Sequence, residues 1–141
     1  MIKGTQIEQM KQIKTDALLH ADITSQIIEV YYKVYNTLGY GFLEKVYENA
    51  VKIELENRGF KVEIQKSIKV FYEGVEVGYY VADMIVEEVV IIENKAAKSL
   101  CEEHENQLLN YLKSTTIEVG LLLNFGLKPE FRRKIFENRF K

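Results

Sequence analysis

Residues 79–97 constrain the fold of this chain more than any other stretch, because charged residues interrupt two apolar β-strands there. The stretch reads YYVADMIVEEVVIIENKAA, and its Val, Ile and Tyr content predicts two strands joined by a short acidic turn. Side chains alternate along a strand, so Asp83 falls on one face of the first strand, and Glu93 and Lys95 share a face of the second. A buried carboxylate is costly unless it is paired, hydrogen-bonded or bound to a metal. Two carboxylates and a lysine on neighbouring strands therefore indicate a site that holds a cation.

The length of the turn decides whether the two carboxylates meet. A two-residue turn would place Asp83 opposite Ile92 and would direct Glu93 to the other face of the sheet. A loop with an odd number of residues, centred on Glu88, or a β-bulge would bring Asp83 and Glu93 together. Two-residue hairpin turns favour Asn-Gly or Asp-Gly, and the turn here is Glu-Glu. The sequence therefore predicts the odd loop.

Length and composition are those of one ordinary domain. The chain has 141 residues, of which 47% are hydrophobic and 28% charged, which is typical of a soluble globular protein. The formal net charge of −2 gives no general attraction to nucleic acid, so such a partner would need a local basic patch, and the C-terminal segment supplies one. The single cysteine, Cys101, excludes an intramolecular disulfide and a cysteine-rich zinc site.

No membrane partner is expected. No apolar run approaches the roughly 20 residues that span a bilayer. Residues 1–16 also lack the apolar core of a signal peptide. We therefore expect a cytoplasmic protein.

Periodicity along the chain predicts an α/β sandwich. Residues 1–21 are predicted to form an N-terminal arm or a peripheral helix, and residues 22–141 the main domain. The predicted elements are helices over 22–38 and 42–58, strands over 61–72, 75–86 and 89–96, a helix over 100–113, a strand over 117–124 and a basic helix that begins at Pro129. The strand-helix-strand step from 89 to 124 is predicted to be a right-handed parallel crossover. The result is a central mixed four-stranded sheet flanked by helices.

The spacing of apolar residues predicts which side of two helices is buried. The buried residues of the helix over 42–58 are predicted to be Leu43, Val46, Tyr47 and Ala50, with Ile53 as a further candidate. Glu48 is predicted to face solvent. The inward residues of the helix over 100–113 are predicted to be His104, Gln107, Leu108 and Tyr111.

The order of the charged and polar motifs resembles the PD-(D/E)-x-K nuclease superfamily. The matching residues are Glu44 on an early helix, Asp83 on one strand, Glu93-Asn94-Lys95 on the next, and Gln107 to Tyr111, which spell Gln-x-x-x-Tyr, on a later helix. This last motif is similar to that of the RecB-type exonuclease branch. The superfamily's Pro-Asp pair is Ala82-Asp83 here, and the missing proline carries no chemistry.

A second motif narrows the resemblance. The run GFLEKVY, from Gly41 to Tyr47, is similar to the signature of the GxxExxY protein family, which is placed in the same superfamily. The similarity covers residues 23–137. Asn94 stands where that family more often has an apolar residue, and its side chain is predicted to point away from Glu93 and Lys95.

The resemblance implies a restriction-endonuclease-like fold and a nuclease that depends on Mg²⁺ or Mn²⁺. Asp83 and Glu93 would be the principal metal ligands, and the main-chain carbonyl of Asn94 would be a third. Lys95 would orient or deprotonate the attacking water, or stabilise the charge of the transition state. Glu44 would be a further ligand, directly or through water.

Four more residues would act on the substrate side. Gln107 and Tyr111, one helical turn apart, would position the substrate or the lysine. Arg132 and Arg133 would contact phosphates. The nucleic acid is expected to be DNA. RNA stays open as an alternative substrate. The sequence also leaves open whether the substrate is single- or double-stranded and whether cleavage is internal or terminal.

Simpler interpretations of the same residues stay open too. Asp83 alone fits a hydrogen-bonded core aspartate, and Glu93 with Lys95 fits a row of surface charge. Gln107 and Tyr111 fit a helix that is hydrogen-bonded to the sheet.

Two functions of different classes follow. The first is a nuclease that acts in DNA repair or in defence against foreign DNA. The alternative is a binding module that cuts weakly or not at all, as a homodimer or as a subunit of a larger nucleic-acid-processing assembly.

Overall fold

A computed structural model describes residues 19–141, so most of the predicted arm over residues 1–21 lies outside the described residues. The elements are helix α1 (Ala21–Leu38), helix α2 (Glu44–Asn57), strands β1 (Val62–Tyr72), β2 (Val75–Val86) and β3 (Val90–Lys95), helix α3 (Glu102–Lys113), strands β4 (Val119–Phe125) and β5 (Pro129–Ile135), and a 3₁₀ helix (Asn138–Phe140). The α/β prediction is confirmed. Within the described part of the chain, no helix is both long and apolar enough to cross a bilayer.

The five strands form one mixed sheet in the order β1-β2-β3-β4-β5. Strand β2 is antiparallel to β1 and to β3, and β5 is antiparallel to β4. Strands β3 and β4 are parallel and are connected through α3. The parallel pairing predicted for this step is therefore confirmed.

The last long element is a strand, so the predicted basic helix from Pro129 and the predicted count of four strands were both wrong. Strand β4 is buried along its whole length, and its backbone groups need hydrogen-bond partners on both edges. Strand β3 supplies one edge and β5 the other. Pro129 opens β5 at the border of the sheet, a position where proline is tolerated.

Two hydrophobic cores lie on opposite faces of this sheet. Helices α1 and α2 pack on one face, against a row that includes Met84, Ile92 and Leu121. Helix α3 packs on the other face through Leu108 and Leu112, against a row that includes Ile85, Ile91 and Leu122. Because alternate residues of β2, β3 and β4 enter both cores, the central strands are held from both sides.

Helix α2 is rotated relative to its predicted orientation. Its buried residues are Tyr47, Glu48, Val51 and Leu55, whereas Leu43 is 80% exposed. The ring of Tyr47 stacks on Phe125 with the ring centroids 4.2 Å apart, and this contact fixes the rotation. The prediction that Glu48 faces solvent was therefore wrong.

The turn between β2 and β3 has three residues, as the sequence predicts. Val86 pairs with Val90, and Met84 pairs with Ile92, so the loop is centred on Glu88. Both Glu87 and Glu88 have positive φ angles, of 51° and 59°.

Candidate active site

Asp83 and Glu93 lie opposite each other where the β2–β3 ladder ends. The register that pairs Met84 with Ile92 continues to this pair, and the side chains take over the hydrogen bonds of the backbone. The Asp83 main-chain N–H donates to Glu93 Oε1 at 3.1 Å. The Asn94 main-chain N–H donates to Asp83 Oδ2 at 2.9 Å. The two carboxyl groups therefore converge, as the odd loop requires.

The surroundings of the pair favour the protonated form of its carboxyl groups. Glu93 is only 2% exposed, and burial, followed by the negative charge of Asp83, raises the pKa of Glu93 to about 8. Burial also raises the pKa of Asp83. The two carboxyl groups lie close enough to interact directly, and a hydrogen bond between them would need a proton on one of them. A carboxyl pair that shares a proton is a site where a cation can replace it.

Lys95 and Gln107 join the pair from β3 and α3. The Lys95 ammonium donates to Gln107 Oε1 at 3.1 Å. The charge of Lys95 acts on both Asp83 and Glu93 and opposes the rise of their pKa values. Gln107 thus holds Lys95 beside the carboxyl pair. The Glu93-Asn94-Lys95 motif and the Gln-x-x-x-Tyr motif therefore meet in the folded chain.

Tyr111 belongs to the same cluster. It is almost fully buried, and its side chain hydrogen-bonds with that of Gln107. Burial, followed by the charges of Glu93 and Asp83, raises the pKa of Tyr111 to about 12. The phenol therefore keeps its proton at neutral pH and can donate a hydrogen bond.

The acidic residue that approaches this cluster from α2 is Glu48. Glu44 is exposed in the first turn of α2, whereas Glu48, one turn later, is 4% exposed. Glu48 accepts hydrogen bonds from Lys45 Nζ at 3.2 Å and from Gln65 Nε2 at 2.9 Å. The charge of Glu48 contributes to the raised pKa of Asp83, after burial.

Sequence reasoning missed Glu48 and Gln65. Gln65 lies on β1 at the position opposite Asp83, between the pairs Ile64–Met84 and Lys66–Ala82. It has a positive φ of 49°, and the β1–β2 pairing is interrupted at this residue. The signal for Glu48 was its place one residue after Tyr47, the aromatic residue that fixes the rotation of α2. Nothing in the sequence shows that Gln65 adopts a positive φ.

The loop before α2 is held by Tyr47. The Tyr47 hydroxyl donates to the Gly39 carbonyl at 2.6 Å and accepts from the Phe42 main-chain N–H at 3.2 Å. Gly41 has a φ of 108°, which favours glycine. The glycine and the tyrosine of the GFLEKVY run thus shape the entry of α2, which carries Glu44 and Glu48.

Arg132 and Arg133 are not brought to the carboxyl pair. Strand β4 separates β5 from β3, and the two arginines point to opposite faces of β5 because they are adjacent in a strand. Arg132 pairs with Glu130 at 3.0 Å and with Glu105 at 3.9 Å. The Arg133 guanidinium donates to the Leu19 carbonyl.

Two observations bear on metal binding. The side chain of Asn94 points away from the site, as predicted, and its amide Nδ2 lies 3.4 Å from Met84 Sδ in the larger core. In the part of the chain that the structure describes, no three His, Cys, Asp or Glu side chains converge as a metal site. The Asp83–Glu93 pair therefore offers two carboxylates, a set that suits Mg²⁺, which usually keeps several waters and binds only one or two carboxylates.

Comparison with known proteins agrees with this architecture. A family model of the PD-(D/E)XK nuclease superfamily matches residues 21–134. A solved structure described as "Crystal structure of SSO0001" is similar in fold, with a TM-score of 0.50 and 19% sequence identity. The similarity covers 66% of this chain and 50% of that chain, so the present chain spans about half the length of that protein. No curated protein sequence matches.

Proposed function

Because the chain belongs to the PD-(D/E)XK nuclease superfamily, we propose that it is a metal-dependent nuclease that hydrolyses phosphodiester bonds of DNA. The observation that supports this most is the buried Asp83–Glu93 pair with Lys95 beside it. Repair of DNA or defence against foreign DNA is the role we propose for this activity. The exposed free thiol of Cys101 fits a cytoplasmic site of action.

Asp83 and Glu93 would hold Mg²⁺ or Mn²⁺, with the main-chain carbonyl of Asn94 as a third ligand. When bound, the ion supplies positive charge to the phosphate oxygens and makes a water molecule more acidic. Because both carboxyl groups have raised pKa values, binding of the ion through Asp83 and Glu93 would require the pair to lose a proton to solvent. Glu48 supports the site from α2, and Glu44, which is exposed, would reach it only through water.

Lys95 would hold the attacking water or stabilise the negative charge that develops on the phosphate. Its ammonium is anchored by Gln107, so its position is set before a substrate arrives. Tyr111 would donate a hydrogen bond to a phosphate oxygen. Arg132 and Arg133 would contact phosphates that lie farther from the bond that is cleaved.

The finer family assignment is also part of the proposal. The shaping of the loop before α2 by Gly41 and Tyr47 supports membership in the GxxExxY family. The contact of Lys95 with Gln107 supports the RecB-type branch, whose helix motif begins with this glutamine.

Cleavage assays test the nuclease proposal. Single- and double-stranded DNA are incubated with Mg²⁺ or Mn²⁺ and with wild type, Asp83→Ala or Lys95→Ala. We expect wild type to cut, and each variant to lose at least about 100-fold in rate, in line with the loss of a group that stabilises the transition state.

Asp22→Ala and Lys128→Ala change exposed residues of the same types and should leave the rate unchanged. Circular dichroism is used to test whether each variant is folded. A folded Asp83→Ala protein that cuts at the wild-type rate would contradict the proposal.

A second function, a binding module that does not cut, has one observation in its favour. The oxygens of Glu48 are engaged by Lys45 and Gln65, and no third carboxylate joins the Asp83–Glu93 pair among residues 19–141. Such a module would act as a homodimer or as a subunit of a larger assembly. Binding of Mg²⁺ and DNA by wild type without any cleavage would favour this function.

A further inference from the structure

We propose that the groove between the β1–β2 hairpin and the carboxyl end of α3 binds one unpaired strand of nucleic acid and leads it to the Asp83–Glu93 pair. The hairpin groove is defined by Lys69, Phe71 and Tyr80 on the hairpin and by Asn110 and Lys113 on α3. Its volume is about 480 Å³. The proposal rests on the nuclease function proposed above and names its substrate class.

Charge is the first argument. Lys69 and Lys113 are exposed on opposite walls of the hairpin groove, and no carboxylate lines it. Neither lysine has an ion-pair partner among residues 19–141, whereas Lys61, Lys66 and Lys134 are all paired with glutamates. Although the chain has a net charge of −2, the hairpin groove is locally positive and can therefore attract a polyanion.

Aromatic exposure is the second argument. Phe71 is 60% exposed and Tyr80 is 37% exposed, and both line the hairpin groove. The β1–β2 register shifts between Val70 and Phe71, so the regular pairing of the hairpin is interrupted at this point. Aromatic side chains stack on bases whose faces are free, whereas a duplex hides those faces inside its own stack. The pairing of aromatic and basic groups thus favours an unpaired strand.

Continuity with the candidate active site is the third argument. The ring of Tyr80 meets the ring of Tyr111 edge to face, with the centroids 5.2 Å apart. Tyr111 in turn hydrogen-bonds with Gln107 and is affected by the charges of Asp83 and Glu93. A strand lying on Tyr80 would therefore be one side chain away from the carboxyl pair.

A second copy of this chain is the competing occupant, because β1 is an edge strand and edge strands can pair with each other. Each copy carries the same unpaired lysines at its hairpin groove, and like charges disfavour the approach of two such surfaces. A phosphate backbone neutralises both lysines. The charges therefore favour nucleic acid.

Fluorescence anisotropy with the full chain in EDTA tests the proposal, because cleavage is then suppressed. The probes are a labelled 12-nucleotide DNA strand, the RNA strand of the same sequence, and the corresponding DNA duplex. We expect wild type to bind at least one single strand about 10-fold more tightly than the duplex, as stacking on free bases predicts. The stronger of the DNA and RNA arms identifies the source of the strand.

Four variants locate the binding. Two of them are double variants of the hairpin groove, one with Lys69→Glu and Lys113→Glu and the other with Phe71→Ala and Tyr80→Ala. Each should weaken single-strand binding by about 10-fold or more. Lys128→Glu and Phe140→Ala, both exposed and outside the hairpin groove, are the matched controls and should change it by less than about twofold. The slope of log K against log salt should become shallower by about 1.4 when both lysines are reversed, about 0.7 for each phosphate that is no longer neutralised.

Each other outcome has a defined meaning. Equal affinity for strand and duplex, or groove variants that bind like wild type, overturns the proposal. Light scattering tests for the competing dimer. The proposal is also overturned if wild type is a dimer that only the groove variants dissociate and if wild type binds no nucleic acid. Failure of the nuclease proposal looks different, because wild type would then bind single strands through the hairpin groove and yet not cut DNA with Mg²⁺ or Mn²⁺.

Discussion

At the scale of single residues, the shared proton of Asp83 and Glu93 ties the stability of the metal-free protein to pH. The pKa of Glu93 rises from 4.5 to about 8 on folding, so the folded chain binds this proton more tightly than the unfolded chain does. The stability gained from this proton is therefore fully present below about pH 4.5 and is lost as pH rises through about 8. The raised pKa of Asp83 acts in the same direction.

We therefore expect the free energy of unfolding of wild type in EDTA to be lower at pH 9 than at pH 5, by on the order of a few kcal/mol. Glu93→Gln should lose most of this dependence and should be the more stable protein at pH 9. Urea unfolding at both pH values measures it. The control is Glu76→Gln, an exposed position on the hairpin, which should keep the wild-type dependence. Parallel behaviour of wild type and Glu93→Gln would contradict the expectation.

Glu44 and Glu48 give a matched pair of substitutions on one helix. Glu48 is buried and acts on Asp83, whereas Glu44 is exposed. We expect Glu48→Gln to lower metal affinity or cleavage by about 10- to 100-fold, as the loss of a supporting group does, and Glu44→Gln to lower it by less than about threefold. Isothermal titration with Mn²⁺ and a cleavage assay measure both. The reverse order would make Glu44 the functional residue, as the sequence motif alone implies.

At the scale of elements, the position of α3 depends on a glycine in the strand beneath it. A Cβ atom at Gly120 of β4 would lie 2.7 Å from Leu108 Cδ1, in the core between α3 and the sheet. Gln107, which holds Lys95, is the residue before Leu108. Close packing here therefore sets the distance of the glutamine from the carboxyl pair.

Gly120→Ala should destabilise the fold by about 1 to 3 kcal/mol, because it overpacks a filled core, and should also lower the cleavage rate. Leu108→Ala alone should cost about 2 to 5 kcal/mol through the cavity it leaves. In the double variant the alanine methyl occupies part of that cavity. A double-mutant cycle by urea unfolding should show a total loss smaller than the sum, and strictly additive losses would mean that the two sites do not touch.

Local sequence patterns predicted the elements up to β4 because each has a clear period and a clear stop. The three-residue loop was predictable because Glu-Glu does not suit a two-residue turn. The segment from Pro129 was not, because the spacing of Phe131, Ile135 and Phe136 also fits one face of a helix. Its strand conformation is imposed by the free edge of β4, a feature that exists only after the sheet has formed.

At the scale of the whole molecule, the site joins residues from five elements (α2, β1, β2, β3 and α3), whose order along the chain the sequence predicts but whose arrangement in space it does not. The Asp83–Glu93 pair and Lys95 followed from strand alternation and register. The choice between Glu44 and Glu48 did not, because the rotation of α2 is set by the stacking of Tyr47 on Phe125. The distance of Arg132 from the site likewise depends on β5, which local patterns did not predict.

Metal binding should stabilise the whole chain, because it acts on the folded state alone. At about 100 times its dissociation constant, Mg²⁺ should add about 2.7 kcal/mol to the free energy of unfolding. At a fixed Mg²⁺ concentration the gain should be larger at pH 8 than at pH 6, because proton binding to the pair competes with the ion and weakens its affinity at the lower pH. Thermal unfolding of wild type and Asp83→Asn with and without Mg²⁺ measures it, and an equal gain in the variant would place the ion elsewhere.

The three-residue loop between β2 and β3 also limits how the length of this chain can change. Nine residues separate Asp83 from Glu93, and the pairing of Val86 with Val90 divides them evenly around Glu88. One inserted residue would turn Glu93 to the other face, whereas two inserted residues, one on each side of the loop, would restore the pairing. Insertions and deletions at this hairpin are therefore expected to be tolerated only in even numbers.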